Sequence, residues 1–250
     1  MTEDEMTEDE FLISYNPKDY DAPLCTVDMC IFAVEEDELK VLLVKRSAPP
    51  FKDRWALPGG FPNLKIDTSV EETAFRKLFE KTGVKSPYLE QVGTVGNSSR
   101  DPRGWSVTVL YFALIDYLAL PQKEIIDPQE LSEWVPVVQA FEYGLAFDHE
   151  DLLKLAINRL RSKTRYAALP INLMPENFTL TELQNMFELI LGLPLQKKSF
   201  RRRIETSGLL TETGEMRPTS RRPAALYRRS NTFSDDFIFP GLLDVHPEVF

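Results

Sequence analysis

Four runs of apolar residues in the first half of the chain predict β-strands. The first two runs are joined by an acidic turn at residues 35–38, which indicates a hairpin. The next two are joined by a polar loop at residues 96–104 and indicate a second strand pair. A shorter run at residues 134–136 indicates one more strand. The four longer runs are residues 25–34, 39–45, 88–95 and 105–118.

Two other stretches of the same part of the chain follow a helical period. Residues 70–81 carry an apolar stripe through Leu78, and Gly83 follows as a C-terminal stop. Residues 149–161 form a second amphipathic stretch, and Asp148 is placed to cap its N-terminus. Because strands and helices are mixed in this way, we expect an α/β sandwich.

The C-terminal part of the chain has a different rhythm. Residues 179–191 predict an amphipathic helix, a turn follows at residues 192–194, and residues 196–206 predict a second helix. A return punctuated by proline over residues 209–227 predicts a β-hairpin. A helix, a short turn, a basic helix and a hairpin, in that order, are the parts of a winged helix-turn-helix domain.

These patterns divide the chain into five segments, and we expect the two folded domains to have separate cores. The fold class that they predict is an α/β sandwich followed by a C-terminal winged helix-turn-helix domain. The predicted segments are an acidic N-terminal arm at 1–22, the sandwich at 23–168, a linker at 169–176, the winged helix at 177–229 and a tail at 230–250.

Charge is distributed unevenly along the chain. The formal net charge of −10 argues by itself against nucleic-acid binding, because phosphate backbones attract basic surfaces. Residues 196–229, however, contain ten lysines and arginines against three glutamates, a net charge of +7. Such asymmetry points to a nucleic-acid-binding segment, although a solvated basic face would have the same composition. The candidate DNA-binding residues are Gln196, Lys197, Lys198, Ser199, Arg201, Arg202, Arg203, Arg221 and Arg222.

Cysteine spacing and hydropathy indicate the compartment. Cys25 and Cys30 lie five residues apart in one predicted strand, so their side chains point to opposite faces and cannot easily pair. We expect both to be small apolar residues of a reducing environment. The acidic N-terminus does not resemble a signal peptide, and no apolar run approaches the ~20 residues of a membrane span. The sequence therefore predicts a cytoplasmic protein without a membrane partner.

A glycine pair and the helix after it carry the first chemical motif. Gly59 and Gly60 follow Trp-Ala-Leu-Pro, and residues 76–84 read Arg-Lys-Leu-Phe-Glu-Lys-Thr-Gly-Val. This loop and helix resemble the Nudix hydrolase signature, whose helix carries glutamates that hold a divalent metal ion against a diphosphate. The chain has Lys77 and Lys81 at two of those glutamate positions.

The two lysines change what the Nudix helix is expected to do. An ammonium group within about 4 Å of a metal ion repels it by energies on the kcal scale. We therefore expect no metal site and no catalytic residues, with Mg²⁺ relevant only if the hydrolase site is active. An ordinary surface helix is the alternative, in which Glu72, Arg76 and Glu80 form an ion-pair ladder at i, i+4 and i+8.

Two polar stretches supply further candidates for binding a nucleotide. Arg100 and Arg103 have the guanidinium geometry that suits bidentate contacts with phosphate. Trp105 and Phe147 would either stack on a base or pack in the core, and the pattern fits both. His149 has no Ser or Cys partner motif, so it makes no case for nucleophilic catalysis. The candidate ligand-binding residues are Arg46, Gly59, Gly60, Arg76, Glu80, Arg100, Arg103, Trp105 and Phe147.

Longer motifs extend the resemblance over nearly the whole chain. Together they resemble the Nudix-related transcriptional regulators of the NrtR type, in which a Nudix α/β/α sandwich precedes a winged helix. Two shorter motifs lie at residues 21–28 and 42–46. The longer ones are Val-Gly-Asn-Ser-Ser-Arg-Asp-Pro-Arg-Gly-Trp-Ser-Val-Thr-Val at 95–109, Leu-Ala-Phe-Asp-His at 145–149 and Lys-Ser-Phe-Arg-Arg-Arg at 198–203.

The resemblance implies a homodimeric repressor of NAD-biosynthesis or salvage genes. It implies that the double-stranded DNA operator is released when ADP-ribose or a related NAD metabolite binds, and that no cofactor is required. Some members of the family act on sugar-utilisation genes instead, and some retain ADP-ribose pyrophosphatase activity. The alternative from a different class is an active Mg²⁺-dependent Nudix pyrophosphatase whose C-terminal domain serves dimerisation.

Overall fold

The computed structural model of the protein describes residues 7–85, 87–120, 131–219, 222–234 and 238. Arg221 of the predicted DNA surface lies outside this part of the chain, as do the first six residues of the predicted arm and most of the predicted tail. None of the helices described is both long enough and apolar enough to cross a membrane.

A mixed sheet, seven-stranded over the described residues, is the centre of the first domain. Its strands follow the order β3-β2-β1-β6-β5, with β4 paired to β1 and β7 paired to β2. The long strands β1 and β6 run parallel, which places a buried pair in the middle of the sheet. The strands are β1 (Leu24–Glu35), β2 (Glu38–Lys45), β3 (Trp55–Ala56), β4 (Gly59–Gly60), β5 (Tyr88–Asn97), β6 (Ser106–Leu114) and β7 (Ser132–Pro136).

The side chains of β1 alternate between two apolar layers. Cys30 and Phe32 pack in a cluster with residues of one long helix, whereas Met29 and Ile31 pack in a cluster with residues of another. All four side chains are fully buried, and the alternation follows from the two-residue period of a strand. Helices therefore cover both faces of the sheet, as the predicted α/β/α sandwich requires. The helices of this part of the chain are α1 (Glu8–Ser14), α2 (Val70–Thr82), α3 (Val137–Ala140) and α4 (His149–Thr164).

The ends of α2 and α4 differ in how well their sequences predict them. Helix α2 begins after Ser69, whose hydroxyl accepts the N–H of Glu72, and it ends at Gly83 with φ of 69°. Helix α4 extends three residues beyond its predicted end. The prediction that the Asp148 carboxylate caps α4 is wrong, because that side chain makes no capping hydrogen bond. It pairs with an arginine of the β5–β6 loop instead.

The C-terminal part of the chain has the predicted winged-helix order. Helix α5 begins at a capping box formed by Thr179 and Glu182, and it ends at Gly192 with φ of 69°. Phe187 and Phe200 pack edge to face in the core between the two helices. The elements are β8 (Phe178–Thr179), α5 (Leu180–Leu191), α6 (Lys197–Thr206), β9 (Leu210–Arg217) and β10 (Ala224–Arg229), with the sheet order β8-β10-β9.

The predicted linker is a buried part of both cores. Its first residues form a 3-10 helix, Leu169–Leu173, in which every residue is buried. Leu169 and Leu173 belong to the apolar cluster of the sheet and α4, together with Ile190 of α5. Ile171 belongs to the winged-helix cluster. The winged helix thus has an apolar cluster of its own, but Leu169, Leu173 and Ile190 pack into the sandwich cluster, so the two cores are in direct contact.

Candidate functional site

A cleft of about 350 Å³ opens beside β1, β4 and the loop between β5 and β6. The predicted ligand residues that line it are Arg46, Gly59, Gly60, Arg100, Arg103 and Phe147. Three other predicted residues, Arg76, Glu80 and Trp105, are not among the residues that line it. Trp105 is 52% exposed, which contradicts the core-packing alternative for its ring.

The floor of the cleft is a buried network of charged side chains. Arg100 donates from Nε to Oδ2 of Asp148 at 2.9 Å and from Nη2 to Oδ1 of Asp148 at 3.0 Å, and the same Nη2 lies 3.4 Å from Oδ2 of Asp28. The Arg100 side chain is only 4% exposed. Burial alone would lower the pKa of Arg100, but the carboxylates of Asp148 and Asp28 raise it above its ordinary value. Arg100 is therefore held in place before any ligand arrives.

His149 completes this floor as a neutral side chain. Its Nδ1 accepts the backbone N–H of Leu57 at 2.8 Å, and its Nε2 lies 3.8 Å from Asp28. Burial lowers the pKa of His149, even though the nearby Asp28 and Asp148 carboxylates act in the opposite direction. Since Nδ1 accepts a hydrogen bond, the proton of the neutral ring is on Nε2.

The backbone of Gly59 fits this floor because it has no side chain. A Cβ at Gly59 would lie 2.4 Å from the Asp28 carboxylate and 2.5 Å from the carbonyl oxygen of Val27. Any other residue would push β4 away from β1. Gly59 therefore lets the backbone approach the acidic floor closely.

Arginines and aromatic rings form one wall of the cleft. The guanidinium of Arg46 lies 4.7 Å from the ring of Phe147, and that of Arg103 lies 5.2 Å from the ring of Phe61. Burial and the neighbouring Arg103 lower the pKa of Arg46, so an anion placed between the two arginines would be stabilised. Phe147 has φ of 56°, a conformation that is costly for a bulky residue and common at binding sites. This wall has the chemistry to hold phosphate groups and a flat ring together.

Helix α2 does not offer a set of metal ligands. The guanidinium of Arg76 is fully paired. Its Nε and Nη2 donate to the two carboxylate oxygens of Asp67 at 2.8 and 2.6 Å, and its Nη1 donates to Glu80 at 2.9 Å. The other Glu80 oxygen accepts from Lys77 at 2.8 Å. Across the described residues, no group of three or more His, Cys, Asp and Glu side chains could hold a metal ion. The divalent cation that a Nudix helix implies therefore does not fit the side chains present.

The predicted ion-pair ladder on α2 is only half formed. Arg76 does pair with Glu80, but Glu72 accepts hydrogen bonds from the backbone and hydroxyl of Thr68 instead. The partner that the sequence analysis missed is Asp67. Arg76 donates hydrogen bonds to the Asp67 carboxylate, and they hold the pKa of Asp67 far below its usual range.

A second charged surface lies on helix α6 and is open to solvent. Lys197, Lys198 and Arg202 are exposed, whereas Arg201 and Arg203 are half-buried. Phe200 and Ile204 are buried on the opposite side of the helix. Because positions four apart share a helical face, Lys198 and Arg202 form one basic stripe.

Two of the predicted DNA-binding residues, Gln196 and Arg201, also make contacts that hold the winged helix together. The side chain of Gln196 caps α6 by accepting the N–H of Ser199 at 2.6 Å. Arg201 lies 3.2 Å from the hydroxyl of Thr181 on α5. Arg222 is exposed to solvent, two residues before β10. Arg217 of the β9–β10 hairpin pairs with Glu182, and both side chains remain partly exposed to solvent.

Comparison with known proteins matches both parts of the chain. A family model described as the NUDIX domain matches residues 26–156, and one described as the NrtR DNA-binding winged helix domain matches residues 170–229. The chain is 55% identical over 239 residues to the protein named "ADPR responsive transcriptional repressor NtrR" of Acinetobacter baylyi, covering 95% of this chain and 94% of that protein. The chain belongs to the NrtR family of Nudix-related regulators.

Two solved structures of the NrtR family agree with this fold. The crystal structure of Shewanella oneidensis NrtR complexed with a 27mer DNA is 45% identical, with a TM-score of 0.81, and covers 87% of this chain and 98% of that chain. The Nudix domain of the same protein, complexed with ADP ribose, is 48% identical, with a TM-score of 0.57, and covers 62% and 99%. The predicted sandwich and winged helix are thereby confirmed.

In this NrtR-family chain, the sequence pattern does not reveal the acids that organise the cleft. Asp28 and Asp101 are both less than 10% exposed, and each contacts an arginine that the analysis had assigned to the ligand. Their partners are 72 and 2 residues away along the chain. The motif Asn-Ser-Ser-Arg-Asp-Pro-Arg signals the local Arg103–Asp101 pair, but no local pattern signals the distant pair of Asp28 and Arg100.

Proposed function

We propose that this protein is a cytoplasmic, homodimeric repressor whose binding to an operator is controlled by ADP-ribose or a related NAD metabolite. The observation that carries the proposal is that one packed body contains both an arginine-lined cleft and an exposed basic recognition helix. The cleft has the size and charge for a nucleotide diphosphate, and helix α6 has the charge for a phosphate backbone. We further propose that the regulated genes belong to NAD metabolism.

The names of the relatives support both halves of the proposal. The Acinetobacter baylyi protein is named as an ADPR-responsive repressor, and the two Shewanella oneidensis structures hold a 27mer DNA and ADP ribose. The lysines on α2 and the paired oxygens of Glu80 support a role as sensor rather than hydrolase. We therefore expect little or no hydrolysis of ADP-ribose, with or without Mg²⁺.

The packing of the chain provides a physical connection between the two sites. Asp148, which holds Arg100 in the cleft, immediately precedes helix α4. Helix α4 contacts α5 of the winged helix, and Ile190 of α5 lies in the same apolar cluster as α4. A ligand that draws Arg100 away from Asp148 would therefore act on the first turn of a helix that reaches the DNA-binding domain.

A binding-site selection followed by a titration tests the proposal. Duplexes that bind the full-length protein are first selected from a random pool. The most strongly enriched sequence is then labelled for fluorescence anisotropy. ADP-ribose is then added to the protein–duplex complex. We expect a palindromic sequence, and we expect ADP-ribose to release it.

Two results would count against the proposal. One is a complex that is insensitive to ADP-ribose and to other NAD metabolites while a sugar phosphate dissociates it, which would reassign the ligand and favour the sugar-utilisation alternative. The other is steady release of AMP from ADP-ribose in the presence of Mg²⁺, which would make the protein an active pyrophosphatase. The double variant Lys198→Ala, Arg202→Ala, which changes only exposed side chains of α6, serves as the control that should bind the duplex more weakly.

A further inference from the structure

The side of the cleft that belongs to helix α2 carries lysine rather than acid. Lys81 lines the cleft together with Gly59, Gly60 and Arg46. Lys77, one turn earlier on the same helical face, is close enough to Gly60 that a Cβ there would lie 3.1 Å from its Cε and 3.7 Å from its Nζ. The Lys77 ammonium therefore lies beside the backbone of Gly60, and Lys81 is one of the residues that line the cleft where a Nudix ligand is expected to sit.

The acids near these lysines are already engaged. Glu80 uses one oxygen for Arg76 and the other for Lys77. Asp67 uses both of its oxygens for Arg76. A divalent cation needs several hard oxygen ligands, and here it would have to displace these arginine and lysine contacts while standing close to Lys81.

We propose that Lys81, supported by Lys77, takes the place of the divalent cation and binds the diphosphate of the nucleotide directly, so that ligand binding does not depend on a metal ion. The inference rests on the proposed function only in that the ligand carries a diphosphate. An ammonium group makes short, charge-assisted hydrogen bonds to phosphate oxygens and acts as a mobile point charge on its flexible side chain. It neutralises the diphosphate without activating a water molecule, so the nucleotide is bound and not cleaved.

Calorimetry of ADP-ribose with the full-length protein tests the inference, first in EDTA and then in excess Mg²⁺. The wild-type Kd is expected to be the same in both solutions. Lys81→Gln is expected to weaken binding by about tenfold or more in both, because it removes a charge-assisted hydrogen bond. Lys81→Arg is expected to retain most of the affinity, because the charge remains.

A charge reversal and a matched control complete the set. Lys81→Glu restores the acid of the Nudix signature, so it is expected to abolish binding in EDTA and to recover part of it when Mg²⁺ is added. Lys85→Gln changes an exposed lysine just beyond the helix, outside the cleft, and is expected to leave the Kd unchanged. Thermal melting of each variant checks that it is folded.

The outcomes separate this inference from the proposed function. If the wild-type protein binds ADP-ribose only when Mg²⁺ is present, or if Lys81→Gln binds as tightly as wild type, the inference is overturned while the proposed function stands. If the wild-type protein binds no ADP-ribose in either solution, the proposed function fails and the inference falls with it. The wild-type comparison needs no variant, so it decides the question even if a substitution at Lys81 prevents folding.

Discussion

The cations of the ligand cleft and those of helix α6 are held in opposite ways. In the cleft, Arg100 is 4% exposed and is bound by two carboxylates. On α6, Lys198 and Arg202 are exposed to solvent. One region thus contains charges whose positions are set by internal partners, and the other contains charges that are positioned only by the helix that carries them.

This difference teaches what each region can recognise. Buried and paired arginines have fixed geometry, which suits a small ligand whose phosphates must fit one arrangement. Exposed cations are hydrated and mobile, which suits a long polyanion recognised by its overall charge. Removing a buried cation leaves carboxylates without a partner, whereas removing an exposed one mainly weakens attraction to DNA.

The largest expected effect is on folding, when the floor of the cleft loses its cation. Arg100→Ala leaves the buried Asp28 and the half-buried Asp148 without their arginine, and we expect the free energy of unfolding to fall by about 3–5 kcal/mol. Denaturation in urea measures the change. Lys154→Ala is the control, because Lys154 pairs with two acids while half exposed, and its loss should cost less than about 1 kcal/mol. Equal losses in the two variants would show that burial does not distinguish the regions.

The next effect concerns the packing that joins the two regions. Ile190 is 1% exposed and lies in the cluster of the sheet and α4, although it belongs to the winged helix. We expect Ile190→Ala to lower the free energy of unfolding by about 2–4 kcal/mol and to lower it for both domains together. Hydrogen exchange followed separately in each domain measures this. Ile204→Ala, within the winged-helix cluster alone, is the control and should affect exchange mainly in that domain. If each variant raises exchange only in the winged helix, the two domains unfold independently.

A smaller effect is expected from acid, and only in the cleft. The pKa of His149 is lowered by burial, so below about pH 6.5 the unfolded chain takes up a proton that the folded chain resists. Stability should therefore fall as the pH decreases below about 6.5, by at most about 1.4 kcal/mol per pH unit from this residue. His149→Gln, whose amide oxygen can still accept the Leu57 N–H, should remove this part of the pH dependence. If the wild-type protein and His149→Gln show the same dependence of stability on pH, His149 does not titrate in this range.

The order of the elements could be predicted from the sequence because it depends on local pattern. The apolar run of β1 and the capping box of Thr179 and Glu182 are both readable over a few residues, and the structure has both. The pairing of Arg100 with Asp148 links residues 48 positions apart, and no local pattern reports it. The same limit explains the wrong cap at Asp148, since a carboxylate next to a helix is a cap only when no stronger partner reaches it.

The burial of the predicted linker illustrates a second limit. Leu-Pro-Ile-Asn-Leu has the proline of a connecting segment, yet its apolar side chains fill both cores. Composition indicates where regular structure is interrupted, but it does not indicate what packs against the interruption. For the same reason, the sequence pattern identifies Lys81 as a lost metal ligand but does not place it among the residues of the cleft.

The smallest expected effect is on the salt dependence of DNA binding, and it sharpens the comparison most directly. Each phosphate contact that is lost should reduce the slope of log affinity against log salt by about 0.9. We expect that reduction from Lys198→Ala and from Arg202→Ala, because both side chains lie on the exposed face of α6. Arg201→Ala should weaken binding with a smaller change of slope, because Arg201 also contacts Thr181 and helps to hold α6 against α5.

Anisotropy titrations of the selected duplex between about 50 and 200 mM salt measure these slopes. A reduction of 0.9 corresponds to about a threefold smaller loss of affinity over that range, so each slope must be fitted from several salt concentrations. Lys154→Ala, an exposed lysine on helix α4, is the control and should leave the slope unchanged. If Lys198→Ala and Arg202→Ala also leave it unchanged, the exposed stripe of α6 does not face the phosphates. The exposed cations of α6 and the buried arginines of the cleft would then differ in burial without forming two binding surfaces.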